Sequence, residues 1–357
     1  MDVPGASKKR VDRMYIAFRV DASELIGTGH LFRCLVLADN LALSGVRSQF
    51  ILANKNPVTD RILDSVPHAV SVLGLPALAT QAADATETLR VLHPDVAVVV
   101  VDHYQLDAQW EVAVQACVTQ IAVIDDLADR PHACSLLVDP GFTHTPADYA
   151  AWLKGPAELL LGTRYAILKP EYAQFHARAP KWPSVRRAHV FLGGGHAATG
   201  LPTLVEAVLH ADPSIEVFGL GLADADAMQR IQEAHAGRMV WSPYTSQMAL
   251  EYSRCDIAVG SPGGATWERA CVGLPSGVFA TAPNQVPILK QLDRAGFCRY
   301  FGEWSDFNAS SLLQIIGNFI ADASQCTALR ALGLTSVDGR GTQRITDALL
   351  ARVASNV

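Results

Sequence analysis

Short apolar, β-branched runs alternate along this chain with helix-length segments whose apolar residues recur every three or four positions. That alternation predicts parallel sheets covered by crossover helices, an α/β fold. In the first half the predicted strands are 15–20, 48–53, 70–75, 96–102, 121–125, 136–139 and 159–161. After a polar, proline-bearing and basic stretch at 179–187 a second series follows: 189–192, 216–219, 239–241, 257–260, 277–280 and 298–301. The break reads as a linker. It divides the chain into a tail (1–13), a first domain (14–178), the linker (179–187) and a second domain with C-terminal helices (188–357). Both domains read as doubly wound and Rossmann-like, and ligands of such sheets bind beyond the carboxyl ends of the strands, in a cleft between the two.

A length of 357 residues fits two cores better than one. Half of the residues are hydrophobic and 18% are charged, the balance of a compact globular enzyme. The net charge of -6 gives no general attraction to nucleic acid or to an anionic membrane, so a bound phosphate must be held locally. The longest strand-like run, 96–101, is far too short to span a bilayer. The first 13 residues are partly basic with no apolar signal core behind them, and Met14, just ahead of the first strand, is a candidate start. Seven scattered cysteines without a CxxC pair read as buried free thiols, and a cytoplasmic location is expected.

Candidate chemistry gathers where predicted strands end. Arg19-Val20-Asp21-Ala22-Ser23 leads through Ile26-Gly27-Thr28-Gly29-His30 into a helix reaching about Gly45, which suits its C-cap. Gly27 and Gly29 let backbone approach a ligand, and the free N–H groups at a helix start favour phosphate oxygens. A histidine there has its charged form disfavoured by the helix dipole, which suits His30 to act as a base. Taken alone, the same residues are also what an ordinary turn and helix start require. The second domain has a comparable loop, Gly260-Ser261-Pro262-Gly263-Gly264-Ala265-Thr266-Trp267-Glu268, with Gly263 and Gly264 placed to cradle a diphosphate and Glu268 to bond a ribose.

Asp102-His103-Tyr104 follows the most hydrophobic strand. Tyr104 can reach a sugar or phosphate, His103 reads as structural, and Asp102 as a hydrogen-bonding residue of the turn. Asp125 and Asp126 are adjacent on extended chain and point to opposite faces, which argues against a shared metal ion. Asp126 is expected to cap a helix or fix the loop. Gly194, within Gly193-Gly194-Gly195-His196, is expected to approach the diphosphate, and Asn284-Gln285 offer amides to a sugar or a water.

Together these blocks resemble the UDP-sugar hydrolase family of pseudaminic acid biosynthesis, which has the GT-B fold and is related to MurG-type glycosyltransferases. The similarity runs from Tyr15 to about Arg299, and includes Leu31-Phe32-Arg33-Cys34 after His30 and Ile124-Asp125-Asp126-Leu127-Ala128-Asp129-Arg130-Pro131-His132. The resemblance implies hydrolysis of UDP-2,4-diacetamido-2,4,6-trideoxy-β-L-altropyranose to the free sugar and UDP, with no cofactor and no metal. It implies His30, Tyr104 and Asn284 as catalytic residues. For binding substrate and UDP it points to Asp21, Gly27, Gly29, Gly194, Gly263, Gly264, Thr266, Glu268 and Gln285. Two loops depart from the family pattern, Gly193-Gly194-Gly195-His196 and Ser261-Pro262-Gly263-Gly264-Ala265. Both fall where the resemblance places ligand contacts. The rival readings are a GT-B glycosyltransferase using a UDP-sugar donor and a nucleotide-sugar-binding protein without activity.

Overall fold

The computed structural model describes residues 14–23, 26–76, 79–118, 120–177, 185–193, 199–262 and 265–355. They form two compact units, Met1–Pro170 with Arg340–Val357, and Glu171–Gly339. The expected tail, most of the expected linker, and Gly194, Gly195, His196, Gly263 and Gly264 lie outside the described residues.

The first unit is built on a seven-stranded sheet of order β3-β2-β1-β4-β5-β6-β7. Its strands are β1 Tyr15–Val20, β2 Arg47–Leu52, β3 Ala69–Val72, β4 Val96–Asp102, β5 Gln120–Ile124, β6 Leu136–Asp139 and β7 Glu158–Leu161. All pair in parallel, and both faces are covered. Ile16, Phe18 and Val20 of β1 enter one core cluster and Ala17 the other; Val98 and Val100 of β4 part from Val99 and Val101 in the same way. Double burial explains why these strands read as continuous apolar runs.

The second unit repeats the plan with six strands in the order β10-β9-β8-β11-β12-β13. They are β8 Arg187–Phe191, β9 Glu216–Leu220, β10 Met239–Ser242, β11 Ile257–Gly260, β12 Ser276–Ala280 and β13 Arg299–Glu303. Strand order reverses between β1 and β4 in one sheet and between β8 and β11 in the other. These switch points are where two chain loops diverge and leave a crevice for a ligand.

The units divide differently from the sequence expectation. Helix Glu171–Ala177 goes with the second unit, where the Cys271 carbonyl lies 2.9 Å from His176 Nδ1. Helix Gly341–Ser355 returns to the first, burying Ile345, Leu349 and Val353 in its core. Asn40 donates to Thr346 Oγ1 at 3.0 Å and Arg352 to the Ser135 carbonyl at 2.7 Å. An amphipathic stripe tells that a face is buried, not what buries it, so position in the chain misplaced this helix. Arg187, given to the linker, instead opens β8.

Candidate active site

At the first switch point, Gly27 takes a left-handed φ of +86° and helix Gly29–Ala42 begins two residues later. Thr28 stands at the N-cap, but its side chain makes no capping bond. The helix ends at Leu43, not at Gly45, whose φ of +81° turns the chain toward β2. A Cβ built on Gly27 or Gly29 would meet nothing within 4 Å, so both stand beside open space. His30, in the first turn, is mostly enclosed, with 12% of its side chain accessible.

The neighbouring strand, β4, delivers Asp102 to that histidine. Asp102 Oδ1 lies 2.6 Å from His30 Nδ1, and the carboxylate has no access to water. A carboxylate accepts and does not donate, so Nδ1 carries a proton toward Asp102, and in the neutral ring Nε2 is the nitrogen with the lone pair. Arg33, one turn along the helix, donates to both Asp102 oxygens at 2.6 Å, from Nε and Nη2. Burial alone would raise the Asp102 carboxyl; the Arg33 charge and the bonds from Arg33 and His30 outweigh it and hold the group at about 2. Cys34 adds a weak contact, Sγ to Asp102 Oδ2 at 3.5 Å, and burial with the Asp102 charge keeps that thiol protonated, well above its ordinary range.

Tyr104 completes the group. Its ring meets His30 edge to face with centroids 4.6 Å apart, and its hydroxyl donates to Asp126 Oδ1 at 2.9 Å. The other Asp126 oxygen accepts from Arg33 Nη1 at 3.0 Å. Asp126 therefore ties a tyrosine to an arginine; it caps no helix. Desolvation, with the Asp126 charge next, pushes the Tyr104 phenol well above its usual value, so it is a hydrogen-bonding group and not a base. Asp125 faces elsewhere, pairing with Arg130 Nη1 at 2.6 Å and accepting from Ala128 N–H at 2.9 Å. The Arg130 guanidinium lies 5.9 Å from the centre of the Tyr104 ring.

Asp21 is turned inward. It accepts from Ala53 N–H at 2.8 Å and Arg19 Nη2 at 3.0 Å, and lies 3.1 Å from His103 Nε2. His103 Nδ1 accepts from Gln105 N–H at 3.1 Å, which assigns the Nε2 proton to Asp21 and gives His103 a structural part. Burial would raise Asp21; the His103 and Arg19 bonds prevail and hold it well below the usual carboxylate range. Arg19 is itself buried against Asp84 at 2.6 Å, where Trp110 Nε1 also donates.

At the second switch point, Gly260 has φ +149° and a Cβ on it would stand 1.7 Å from the Phe191 carbonyl oxygen, so nothing larger fits. Ser261 N–H donates to that oxygen at 2.8 Å. Gly193, with φ +85°, lies against the Ser261 side chain, which sets the loops after β8 and β11 side by side. Arg269, buried in helix Ala265–Cys271, donates to the Ser261 carbonyl at 3.2 Å and anchors the start of the second loop. Thr266 and Glu268 are half-buried on the same helix. Glu268 faces Tyr172, whose hydroxyl is pushed far up by burial and then by that carboxylate. Gln285 accepts from Thr281 N–H at 2.8 Å and so closes its own turn, while Asn284 beside it is exposed.

The structure thus brings His30 and Tyr104 together and adds Asp102, Arg33 and Asp126. Arg33 lies within a quoted motif, but only its charge, one helical turn from His30, hinted at a role. Among the described residues no three His, Cys, Asp or Glu side chains converge as metal ligands, and no helix is long and apolar enough to cross a membrane.

Two parallel sheets, each doubly wound, define a GT-B fold, and solved structures agree over nearly the whole chain. MurG of Acinetobacter baumannii matches with a TM-score of 0.66 at 13% identity, covering 94% of this chain and 99% of that one. UGT71G1 of Medicago truncatula, complexed with UDP-glucose, matches at 0.65 and 9%, covering 97% and 99%. The UDP-GlcNAc 2-epimerase of Neisseria meningitidis, bound to UDP-GlcNAc, matches at 0.57 and 11%, covering 95% and 100%. In sequence, the chain is similar to the UDP-2,4-diacetamido-2,4,6-trideoxy-β-L-altropyranose hydrolase of Campylobacter jejuni, 24% identical over 164 residues. That stretch is 45% of this chain and 54% of the relative, so the chain spans about half the length of the curated relative it matches. No family model matches the chain.

Proposed function

We propose that this chain is an enzyme that processes UDP-sugars, and specifically a hydrolase that splits UDP-2,4-diacetamido-2,4,6-trideoxy-β-L-altropyranose or a close analogue into the free sugar and UDP. The observation that carries the reading is the His30–Asp102 pair, with Nδ1 bonded at 2.6 Å, which makes Nε2 the acceptor of the neutral ring. In this mechanism Nε2 takes a proton from water as the water oxygen bonds to the anomeric carbon. The bond from that carbon to the diphosphate breaks, and UDP leaves with the electron pair. Tyr104 and Asn284 orient the sugar or the water. Gly27 and Gly29 let the first unit's backbone approach the substrate, Gln285 meets the sugar or the water, Thr266 binds UDP and Glu268 bonds the ribose; Gly194, Gly263 and Gly264, outside the described residues, belong to the proposal as the diphosphate's glycines. Asp21, the remaining residue of the binding set, has its oxygens committed to Ala53, Arg19 and His103 and so holds the loop that presents the others. Seven unpaired cysteines accord with a cytoplasmic protein.

A second reading is favoured by the match to MurG along nearly the whole chain. In a glycosyltransferase the same His30 would take its proton from an acceptor hydroxyl. A panel of UDP-deoxy-sugars, with UDP and free sugar followed together, separates the two. Hydrolysis releases both in equal amounts without an acceptor. Release of UDP only when an acceptor is added supports transfer, and release of neither overturns both.

A further inference from the structure

We infer that Arg33 is the positioning residue of the reaction centre: one guanidinium sets His30 through Asp102 and Tyr104 through Asp126, and its charge is the counterion that lets Asp102 stay buried as a carboxylate beside His30. The inference rests on the reading of His30 as a base.

Three carboxylate oxygens meet one guanidinium. Nε and Nη2 grip Asp102 and Nη1 holds Asp126, whose remaining oxygen receives the Tyr104 hydroxyl. The planar fork of arginine matches this geometry, and a single ammonium cannot reach all three oxygens at such distances. Arg33 Nη2 also stands 3.0 Å from His30 Nδ1. The Nδ1 proton is directed at Asp102, so that approach sets a fixed positive charge beside the imidazole.

Among the described residues the groups facing His30 are Asp102 from the end of β4, Tyr104 from the turn beyond it, Arg33 from its own helix and the dipole of that helix start. Asp126 acts at one remove, and Arg130 is paired with Asp125 and Asp129. Remove Arg33, and among the described residues Asp102 keeps the imidazole and the Cys34 thiol. A water-free carboxylate that has lost its guanidinium is stabilised by a second proton on His30, and the pair no longer works as a neutral base.

The test uses the full chain with isotopically labelled histidine, the His30 signals being assigned by their loss in His30→Gln. In Arg33→Met the imidazole is expected to take up its second proton at a pH higher than in the parent by roughly one unit. Arg33→Lys should shift the same way by less, and Asp126→Asn should not shift. A folded Arg33→Met protein that protonates His30 at the parent pH overturns the inference. Where circular dichroism shows that variant unfolded, Arg33→Lys decides, and identity with the parent overturns it. On a turned-over UDP-sugar, Arg33→Met should lower kcat about 100-fold with little change in KM and carry the acid limb of the rate profile to higher pH. Asp126→Asn should lower kcat and leave that limb in place. The spectroscopic arm needs no substrate, so absence of turnover with the expected shift counts against the hydrolase reading alone.

Discussion

Asp102 Oδ1 lies 2.6 Å from Nδ1 of His30, on a carboxylate that water does not reach. The contact joins a strand end to a helix start across the point where the order of the first sheet reverses. Its first consequence concerns Asp102→Asn. An amide in that place can donate toward Nδ1 and favour the opposite tautomer, removing the lone pair from Nε2. We expect kcat for UDP-sugar cleavage to fall on the order of a thousandfold with KM nearly unchanged. A loss under tenfold would show that the carboxylate does not orient the base.

The same carboxylate makes stability depend on acid. Its folded value of about 2 lies below the ordinary 3.8. A depressed carboxyl stabilises the fold above its unfolded value, and the contribution disappears as pH falls through the folded one. Between pH 5 and pH 2 Asp102 should therefore account for roughly 2 kcal/mol of lost stability. Urea unfolding at stepped pH measures this, and Asp102→Asn should flatten that part of the curve.

His30→Ala removes the proton acceptor and leaves the second unit intact. Turnover should vanish while the affinity for UDP, measured by calorimetry, stays within about threefold of the parent, the imidazole serving the chemical step and not nucleotide binding. Retained turnover would move the base elsewhere.

Glu268→Ala should weaken UDP binding by about tenfold, the effect of losing a charged hydrogen bond to ribose. Tyr172→Phe serves as the companion variant, because Tyr172 and Glu268 face each other. Unchanged UDP affinity in Glu268→Ala would leave Glu268 as the partner of Tyr172 and nothing more.

Two glycines should behave oppositely. Gly260→Ala forces a Cβ onto the Phe191 carbonyl and a φ of +149° onto an L-residue, and we expect it to cost about 3 kcal/mol or more in unfolding experiments. Gly29→Ala meets open space at a helix start and should leave stability within about 1 kcal/mol. Any effect of that variant belongs to ligand binding.

The strands were legible because a doubly buried parallel strand is apolar at most positions, as β4 is from Val98 to Val101. His30, Gly27 and Tyr104 were legible from their places at strand and helix ends. The part played by Asp126 was not, since nothing local distinguishes a loop carboxylate that caps a helix from one that reaches Arg33, 93 positions away. The inward turn of Asp21 was hidden for the same reason, because beside Arg19 its partners are Ala53, just past β2, and His103, in the turn after β4.

By itself, then, the sequence determined the local facts: the two series of strands, the loops where each sheet can open, and the residue types presented there. These follow from periodicity, glycine and proline, whose effects reach only a few residues. Only the tertiary structure decided which charges share a site and which unit claims helix Gly341–Ser355. Asp102 and Arg33, 69 positions apart, become a pair because a parallel sheet sets β4 beside β1, so that both chains leave it at the same edge.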